Sequence, residues 1–91
     1  MTTKEKKLPV TGKEMLEDSG KRLILFNDDI NTFDFVIETL IEVCGHDSHQ
    51  AENCALIAHF KGKCAIKAGT LSDLELCYKT MILKQLTVEI Q

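Results

Sequence analysis

RLILFNDD, residues 22–29, joins a run of apolar side chains to three adjacent polar ones. An uninterrupted apolar run such as Leu23–Phe26 is typical of a strand at the centre of a sheet. Asn27, Asp28 and Asp29 follow where the chain turns toward a helix that starts near Phe33. Polar side chains at such a junction are held at the surface by a rigid scaffold, and they carry function more often than core residues do. We therefore expect this triplet to belong to a binding site.

Two helices are predicted directly after this junction. Apolar residues of the first follow the spacing of one helix face: Phe33, Val36, Ile37, Leu40, Ile41 and Cys44. Asn31 or Thr32 can cap its start, and Gly45 can end it. The residues 47–50 resemble a capping box, which predicts a second helix that runs to about Phe60 and is ended by Gly62.

The rest of the chain predicts a strand, a third helix and a closing strand. Cys64, Ile66 and Ala68 alternate with Lys63 and Lys67, as in a half-buried strand with its lysines outward. Thr70 and Asp73 are spaced to open the third helix, whose predicted buried stripe is Leu71, Leu74, Tyr78, Met81 and Ile82. The alternating residues of the closing strand are Leu86, Val88 and Ile90. The predicted fold is α+β, a small β-α-α-β-α-β sandwich in which a three-stranded antiparallel sheet packs against three helices.

Length and charge limit the class of protein. The 91 residues suffice for one small domain, which we place at residues 21–91. Residues 1–20 are polar without a sustained period and are expected to form a flexible N-terminal extension. The net charge of -3 argues against nonspecific nucleic-acid binding, and no apolar run approaches the roughly 20 residues that a membrane span needs. Because the N-terminus lacks an apolar export core, we expect a cytoplasmic protein.

The cysteine pattern predicts neither a disulfide framework nor a metal centre. Cys44, Cys54, Cys64 and Cys77 each lie within an apolar pattern, and none belongs to a C-x-x-C pair. We interpret them as buried free thiols in a reducing compartment. A zinc site drawn from Cys44, His46 and His49 would have a non-standard spacing, so no metal or cofactor is predicted.

A later histidine completes a set of hydrogen-bond acceptors. His59 lies in the second helix on a stripe of small residues that includes Ala51 and Ala55. Asn offers a carbonyl oxygen, Asp a carboxylate and neutral His one ring nitrogen, and an α-ammonium group has three donors to satisfy. The triplet 27–29 and His59 could therefore surround an ammonium group beside an apolar pocket.

The order of elements and these residues resemble the bacterial adaptor family ClpS over about residues 21–91. The resemblance is carried by Leu25-Phe26-Asn27-Asp28-Asp29, by Phe33-x-Phe35-Val36, by Ala58-His59-Phe60-Lys61-Gly62-Lys63 and by Leu86-Thr87-Val88-Glu89-Ile90. It implies an adaptor without catalytic chemistry. Such an adaptor binds N-degron peptides and proteins that begin with Leu, Phe, Tyr or Trp. It delivers them to a Clp-family AAA+ unfoldase (ClpA- or ClpC-like) for proteolysis by ClpP.

The resemblance also implies a role for each site residue. Asn27, Asp29 and His59 would hold the substrate's α-amino group, and Asp28 would help to hold the first peptide units. The substrate's first side chain would enter an apolar pocket, which includes Leu86 from the closing strand. The complete expected substrate-binding set is Asn27, Asp28, Asp29, Asn31, Phe33, Val36, Ala55, Ala58, His59 and Leu86.

Several positions depart from the family pattern. Many members carry Thr-Pro before a Met where this chain has Asn31, Thr32 and Phe33, and Ala58 replaces a larger β-branched residue. On the third helix, Ser72 and Cys77 stand where some members carry an acid and a lysine that dock on the unfoldase. The departures near the pocket affect the preference among first residues, and those on the helix affect the choice of unfoldase.

Two other classes of function remain open from the sequence. An interaction domain of the same fold, similar to the C-terminal part of the ribosomal stalk protein, would not recognise N-degrons and would not need an ammonium site. An enzyme would have to combine His59 with a cysteine or an aspartate. The chain has neither a nucleophile at a glycine-flanked turn nor a glycine-rich phosphate loop, and we predict a binding module that is not an enzyme.

Overall fold

The computed structural model describes residues 20–91. Three strands and three helices follow one another as β1 (Lys21–Phe26), α1 (Phe33–Cys44), α2 (Ser48–Lys61), β2 (Lys63–Gly69), α3 (Leu71–Leu83) and β3 (Val88–Ile90). The sheet has the order β2-β1-β3, and both pairings are antiparallel. The predicted α+β sandwich is therefore confirmed. The expected flexible extension falls on residues 1–20, of which 1–19 lie outside the described residues, and it stays a prediction.

The central strand explains the uninterrupted apolar run. Leu23, Ile24 and Leu25 of β1 are all buried, and Leu23 and Leu25 belong to the main hydrophobic core. A strand with a neighbour on each edge and buried residues along its length needs apolar side chains at consecutive positions. Since β1 ends at Phe26, the triplet 27–29 begins where the sheet stops.

A β-bulge in β2 changes the predicted alternation of that strand. Leu23 pairs with Lys67 whereas Ile24 pairs with Ala65, so Ile66 is an extra residue in β2. Successive side chains of a strand point to opposite faces of the sheet. One extra residue therefore reverses the face to which each later side chain points. The prediction that Ala68 points inward and Lys67 outward was therefore wrong, because Ala68 is exposed and Lys67 is partly buried.

The predicted helix ends are confirmed, although only the Asp47 hydrogen bond of the capping box predicted for α2 is present. The Thr32 hydroxyl accepts a hydrogen bond from the backbone N–H of Phe35 at the start of α1, and Asp47 does the same for Gln50 at the start of α2. Gly45 ends α1 with a φ of 73°, a conformation that glycine adopts without steric cost. At α3, Thr70 and Asp73 form both hydrogen bonds of a capping box.

The buried stripe of α3 differs from the predicted one. Leu74, Cys77 and Met81 are buried and Tyr78 is partly buried, as one face of a helix requires. Leu71 and Ile82 were predicted to be buried but are 48% and 45% exposed, because they lie near the two ends of α3 beside this stripe. Cys77, a position that the resemblance associates with docking in some members, is only 5% exposed.

The closing strand is shorter than the alternating pattern predicted. β3 comprises three residues, Val88–Ile90, which pair with Leu23–Leu25 of β1. Leu86 precedes the strand, and its backbone N–H donates to the carbonyl of Met81 at 3.0 Å. Among residues 20–91, no helix has the length and apolar character that would let it traverse a bilayer.

Candidate functional site

A cleft of about 490 Å³ opens where β1, the loop after it, α1 and α2 meet. Nine of the ten predicted substrate-binding residues line it: Asn27, Asp28, Asp29, Asn31, Phe33, Val36, Ala55, Ala58 and His59. Leu25 and Phe26 complete the lining. The cleft thus has a polar side formed by the loop and His59, and an apolar side formed by the strand end and the two helices.

Backbone and side-chain hydrogen bonds hold the polar loop at both of its ends. The backbone N–H of Asn27 donates to the carbonyl of Gly62, just beyond the end of α2, at 2.9 Å. The side-chain amide of Asn31 donates to the carbonyl of Gln85 at 2.9 Å, although the two residues are far apart in the sequence. The loop is therefore attached both to α2 and to the segment that leads into β3.

The Asp28 carboxylate is occupied by hydrogen bonds that hold the loop in place. Its carboxylate accepts hydrogen bonds from the backbone N–H groups of Ile30 (3.0 Å) and Asn31 (2.9 Å), from the Asn31 amide (3.0 Å) and from the Thr87 hydroxyl (3.4 Å). Partial burial raises the pKa of Asp28, but these hydrogen bonds outweigh burial and hold the pKa below its ordinary value. The predicted contact of Asp28 with the first peptide units stays untested, and its two oxygens already have partners within the fold.

The side chains of Asn27, Asp29 and His59 remain available to a ligand. All three residues are exposed, and their side-chain polar atoms have no hydrogen-bond partner among residues 20–91. The ring of His59 packs edge-on against Phe60, with 4.9 Å between the ring centroids. The cleft therefore presents an amide, a carboxylate and an imidazole whose acceptors are not satisfied by the described part of the fold.

Small side chains leave room on the apolar side of the cleft. Ala55 and Ala58 are each 4% exposed, and they lie on the face of α2 that meets the core. Phe33, at the first position of α1, is 39% exposed and stands at the edge of the cleft, one helical turn before Val36. Methyl groups at two positions of one helix leave a hollow that a larger apolar group can fill.

Leu86 does not lie in the cleft. It is 3% exposed and belongs to the hydrophobic core. The closing-strand pattern could not distinguish a pocket wall from a core position, because both are apolar. Leu25 and Phe26 were missed as lining residues, although their place immediately before the triplet was a signal that could have found them.

The described residues show no arrangement for metal chemistry. Among residues 20–91, no three side chains of the His, Cys, Asp or Glu type are grouped so that they could hold a metal ion. His46, a candidate zinc ligand, is buried, and its Nε2 lies 2.7 Å from the carbonyl oxygen of Ile66. Its contact with β2 is structural.

Comparisons with known proteins identify the family and the fold. Residues 17–89 match the family model described as "ATP-dependent Clp protease adaptor protein ClpS". The fold is similar to that of ClpS2 from Agrobacterium tumefaciens, solved bound to L-phenylalaninamide, with a TM-score of 0.72 and 18% sequence identity. The similarity covers 78% of this chain and 93% of that one. The family match extends over all six secondary-structure elements except the last residue of β3, and the chain belongs to the ClpS family of Clp protease adaptor proteins.

Proposed function

We propose that this adaptor binds the first residue of N-degron substrates in the cleft and delivers them to a Clp-family AAA+ unfoldase for proteolysis by ClpP. The preferred first residues are Leu, Phe, Tyr and Trp, the unfoldase is ClpA- or ClpC-like, and the protein acts in the cytoplasm. One observation carries this proposal. The hydrogen-bond acceptors of Asn27, Asp29 and His59 lie in the same cleft as the hollow above Ala55 and Ala58.

The polar side of the cleft suits an α-ammonium group. That group is a cation with three donors, and hydrogen bonds to charged groups are roughly twice as strong as neutral ones. Asp29 supplies the anion, while the Asn27 carbonyl oxygen and a ring nitrogen of His59 supply neutral acceptors. An internal peptide N–H offers one donor and no charge, so it would satisfy only part of this set.

The apolar side suits the substrate's first side chain. Burying a Leu or Phe side chain contributes roughly 1.5–3 kcal/mol. The hollow above Ala55 and Ala58 lies beside the acceptors, as the side chain of an N-terminal residue lies beside its own amino group. L-phenylalaninamide, the ligand of the related ClpS2, combines the same two chemical groups and supports this assignment.

A titration of peptides that differ only in their first residue tests the proposal. Free N-terminal Phe, Leu, Tyr and Trp are expected to bind with a Kd in the micromolar range or below, which corresponds to about -8 kcal/mol. N-terminal Ser and Glu have no apolar side chain to bury and should not bind at the same concentrations. Fluorescence anisotropy with full-length protein gives the affinities, and equal binding of all six peptides would refute the pocket.

Enlarging Ala58 is expected to change the preference among first residues. Ala58→Leu adds carbon atoms to the hollow, where overpacking costs roughly 1–3 kcal/mol, and the larger indole ring should suffer more than a Leu side chain. N-terminal Trp should therefore lose more affinity than N-terminal Leu. Ala68→Leu is the matched control, because Ala68 is exposed on β2 and does not line the cleft.

Thermal unfolding of both variants separates a local effect from loss of fold. If Ala58→Leu folds and weakens both peptides equally, or neither, then Ala58 does not set the size of the pocket.

A further inference from the structure

The sulfur atoms of two of the four cysteines lie close together between α1 and α3. Cys44 is the last residue of α1 and Cys77 lies in the middle of α3, and their Sγ atoms are 2.6 Å apart. A disulfide bond is about 2.05 Å long. Joining these two atoms therefore requires a movement of only about half an ångström.

We propose that Cys44 and Cys77 form a reversible intramolecular disulfide that links α1 to α3 when the protein meets a peroxide. This would be a modification site separate from the peptide cleft, and it does not depend on the proposed function.

A second cleft gives an oxidant access to the pair. It has a volume of about 330 Å³ and is lined by Glu42, Val43, Lys67, Asp73, Leu76, Cys77 and Thr80. It shares no lining residue with the peptide cleft. Cys77 is largely covered, yet it borders this opening, and Cys44 beside it is partly exposed. A molecule as small as hydrogen peroxide fits this space.

The surroundings of the two thiols assign them different roles. The hydrogen bond from Cys44 lowers the pKa of Cys77, burial opposes that effect, and the Lys67 ammonium group lowers the pKa further. The same hydrogen bond, followed by burial, raises the pKa of Cys44. Cys77 also lines the second cleft, whereas Cys44 does not, so we assign Cys77 as the thiolate that attacks first and Cys44 as the thiol that resolves the product. The bulge in β2 turns Lys67 inward, where its ammonium group lines the same cleft as Cys77 and lowers the pKa of both thiols.

The reaction consumes one peroxide per disulfide. The Cys77 thiolate attacks one peroxide oxygen and the O–O bond breaks. Hydroxide departs, and Cys77 becomes a sulfenic acid. Cys44 then loses its proton and attacks the Cys77 sulfur, so that the S–S bond forms and the S–O bond breaks. The two thiols together lose two electrons and two protons, and the peroxide becomes two molecules of water.

The other cysteine pair provides an internal comparison. Burial first, and then a hydrogen bond with Cys54, raise the pKa of Cys64 to about 12. Cys64 is therefore kept as a thiol at neutral pH, and thiols are far weaker nucleophiles than thiolates. Oxidation should therefore begin at Cys77 rather than at Cys64.

Thiol trapping and peptide mapping test the proposal on the full-length chain. Reduced protein is treated with hydrogen peroxide, blocked with N-ethylmaleimide, digested and analysed by mass spectrometry. A Cys44–Cys77 cross-link that dithiothreitol removes is the expected result. Non-reducing electrophoresis should show a monomer. Because the bond closes the segment 44–77, the oxidised protein should melt about 10 °C higher than the reduced protein.

Three variants keep the result interpretable. Cys44→Ser and Cys77→Ser should each lose the cross-link and the rise in Tm, while the double variant Cys54→Ser/Cys64→Ser should retain both. Cys44 is partly exposed, so its variant remains informative if the buried Cys77→Ser fails to fold. Four alkylated thiols after peroxide treatment would overturn the proposal. So would a cross-link to another cysteine, or a sulfinic acid at Cys77 without a cross-link.

Discussion

Acetylating the N-terminus of a peptide that begins with Phe is expected to weaken its binding at least about 100-fold, because two or more charge-assisted hydrogen bonds worth roughly 1.5–3 kcal/mol each are lost. The acetyl group converts a cation with three donors into a neutral amide with one. The side chains of Asn27, Asp29 and His59 have no other hydrogen-bond partners among residues 20–91, so acceptors facing the modified peptide would stay unpaired. The buried apolar side chain is the same in both peptides and cannot account for the difference.

Competition anisotropy with matched peptides measures this effect. The control peptide carries its modification at the other end, as a C-terminal amide, which leaves the ammonium group free and should keep the affinity. If the acetylated peptide bound within threefold of the free one, the cleft would recognise the apolar side chain alone.

Asp29→Ala and His59→Ala are each expected to weaken binding of a free N-terminal Phe peptide by roughly 10–100-fold, the equivalent of one hydrogen bond to a charged group. In the proposed complex, Asp29 supplies the negative charge that the ammonium group faces, and His59 supplies an acceptor from α2. Both side chains are exposed and make no hydrogen bond within residues 20–91, so their removal should leave the fold unchanged.

The control for these two variants is Glu52→Ala. Glu52 is an exposed acid on α2, the helix that carries His59, and it does not line the cleft. Calorimetry should show wild-type affinity for this control, and circular dichroism should be the same for all three variants. Wild-type affinity in both Asp29→Ala and His59→Ala would place the ammonium site elsewhere. Asp28 is unsuitable for such a test, because its removal would release the hydrogen bonds that shape the loop.

Local signals in the sequence predicted the order and the ends of the elements. The Thr32 and Asp47 caps, the glycine after α1 and the Thr70–Asp73 box all depend on residues within one turn of the helix end. The uninterrupted apolar run likewise predicted a central strand, because the pattern is a property of that strand alone.

Features that depend on distant residues were not predictable in this way. The extra residue in β2 is defined only by its pairing with β1, so the sequence of β2 alone gave the wrong orientation for Ala68. Leu86 was placed in the cleft because an apolar residue suits a pocket wall as well as a core. The contacts of Asn31 with Gln85 and of Asp28 with Thr87 also join segments that are far apart along the chain.

Most of the candidate site was predictable because its residues occur in two short, chemically unusual segments. The triplet 27–29 and the segment around His59 stand out from an otherwise ordinary amphipathic pattern. Their proximity in space follows from the fold, in which α2 ends beside the loop after β1. The structure also shows that the side chains of the triplet differ in their contacts. The Asp28 carboxylate accepts hydrogen bonds from the loop, whereas the side chains of its two neighbours have no such partner among residues 20–91.

The bulge in β2 has a consequence for aggregation. β2 lies at an edge of the sheet, where unpaired backbone groups can template the addition of a strand from another molecule. The proposed binding of substrate N-termini would bring extended segments that are able to pair with this edge. The irregular backbone at Ile66 interrupts the regular row of donors and acceptors, and a charged Lys67 on the inward face opposes a continuous β-extension. A regular strand at this edge would instead offer an unbroken row of donors and acceptors to strands of other molecules.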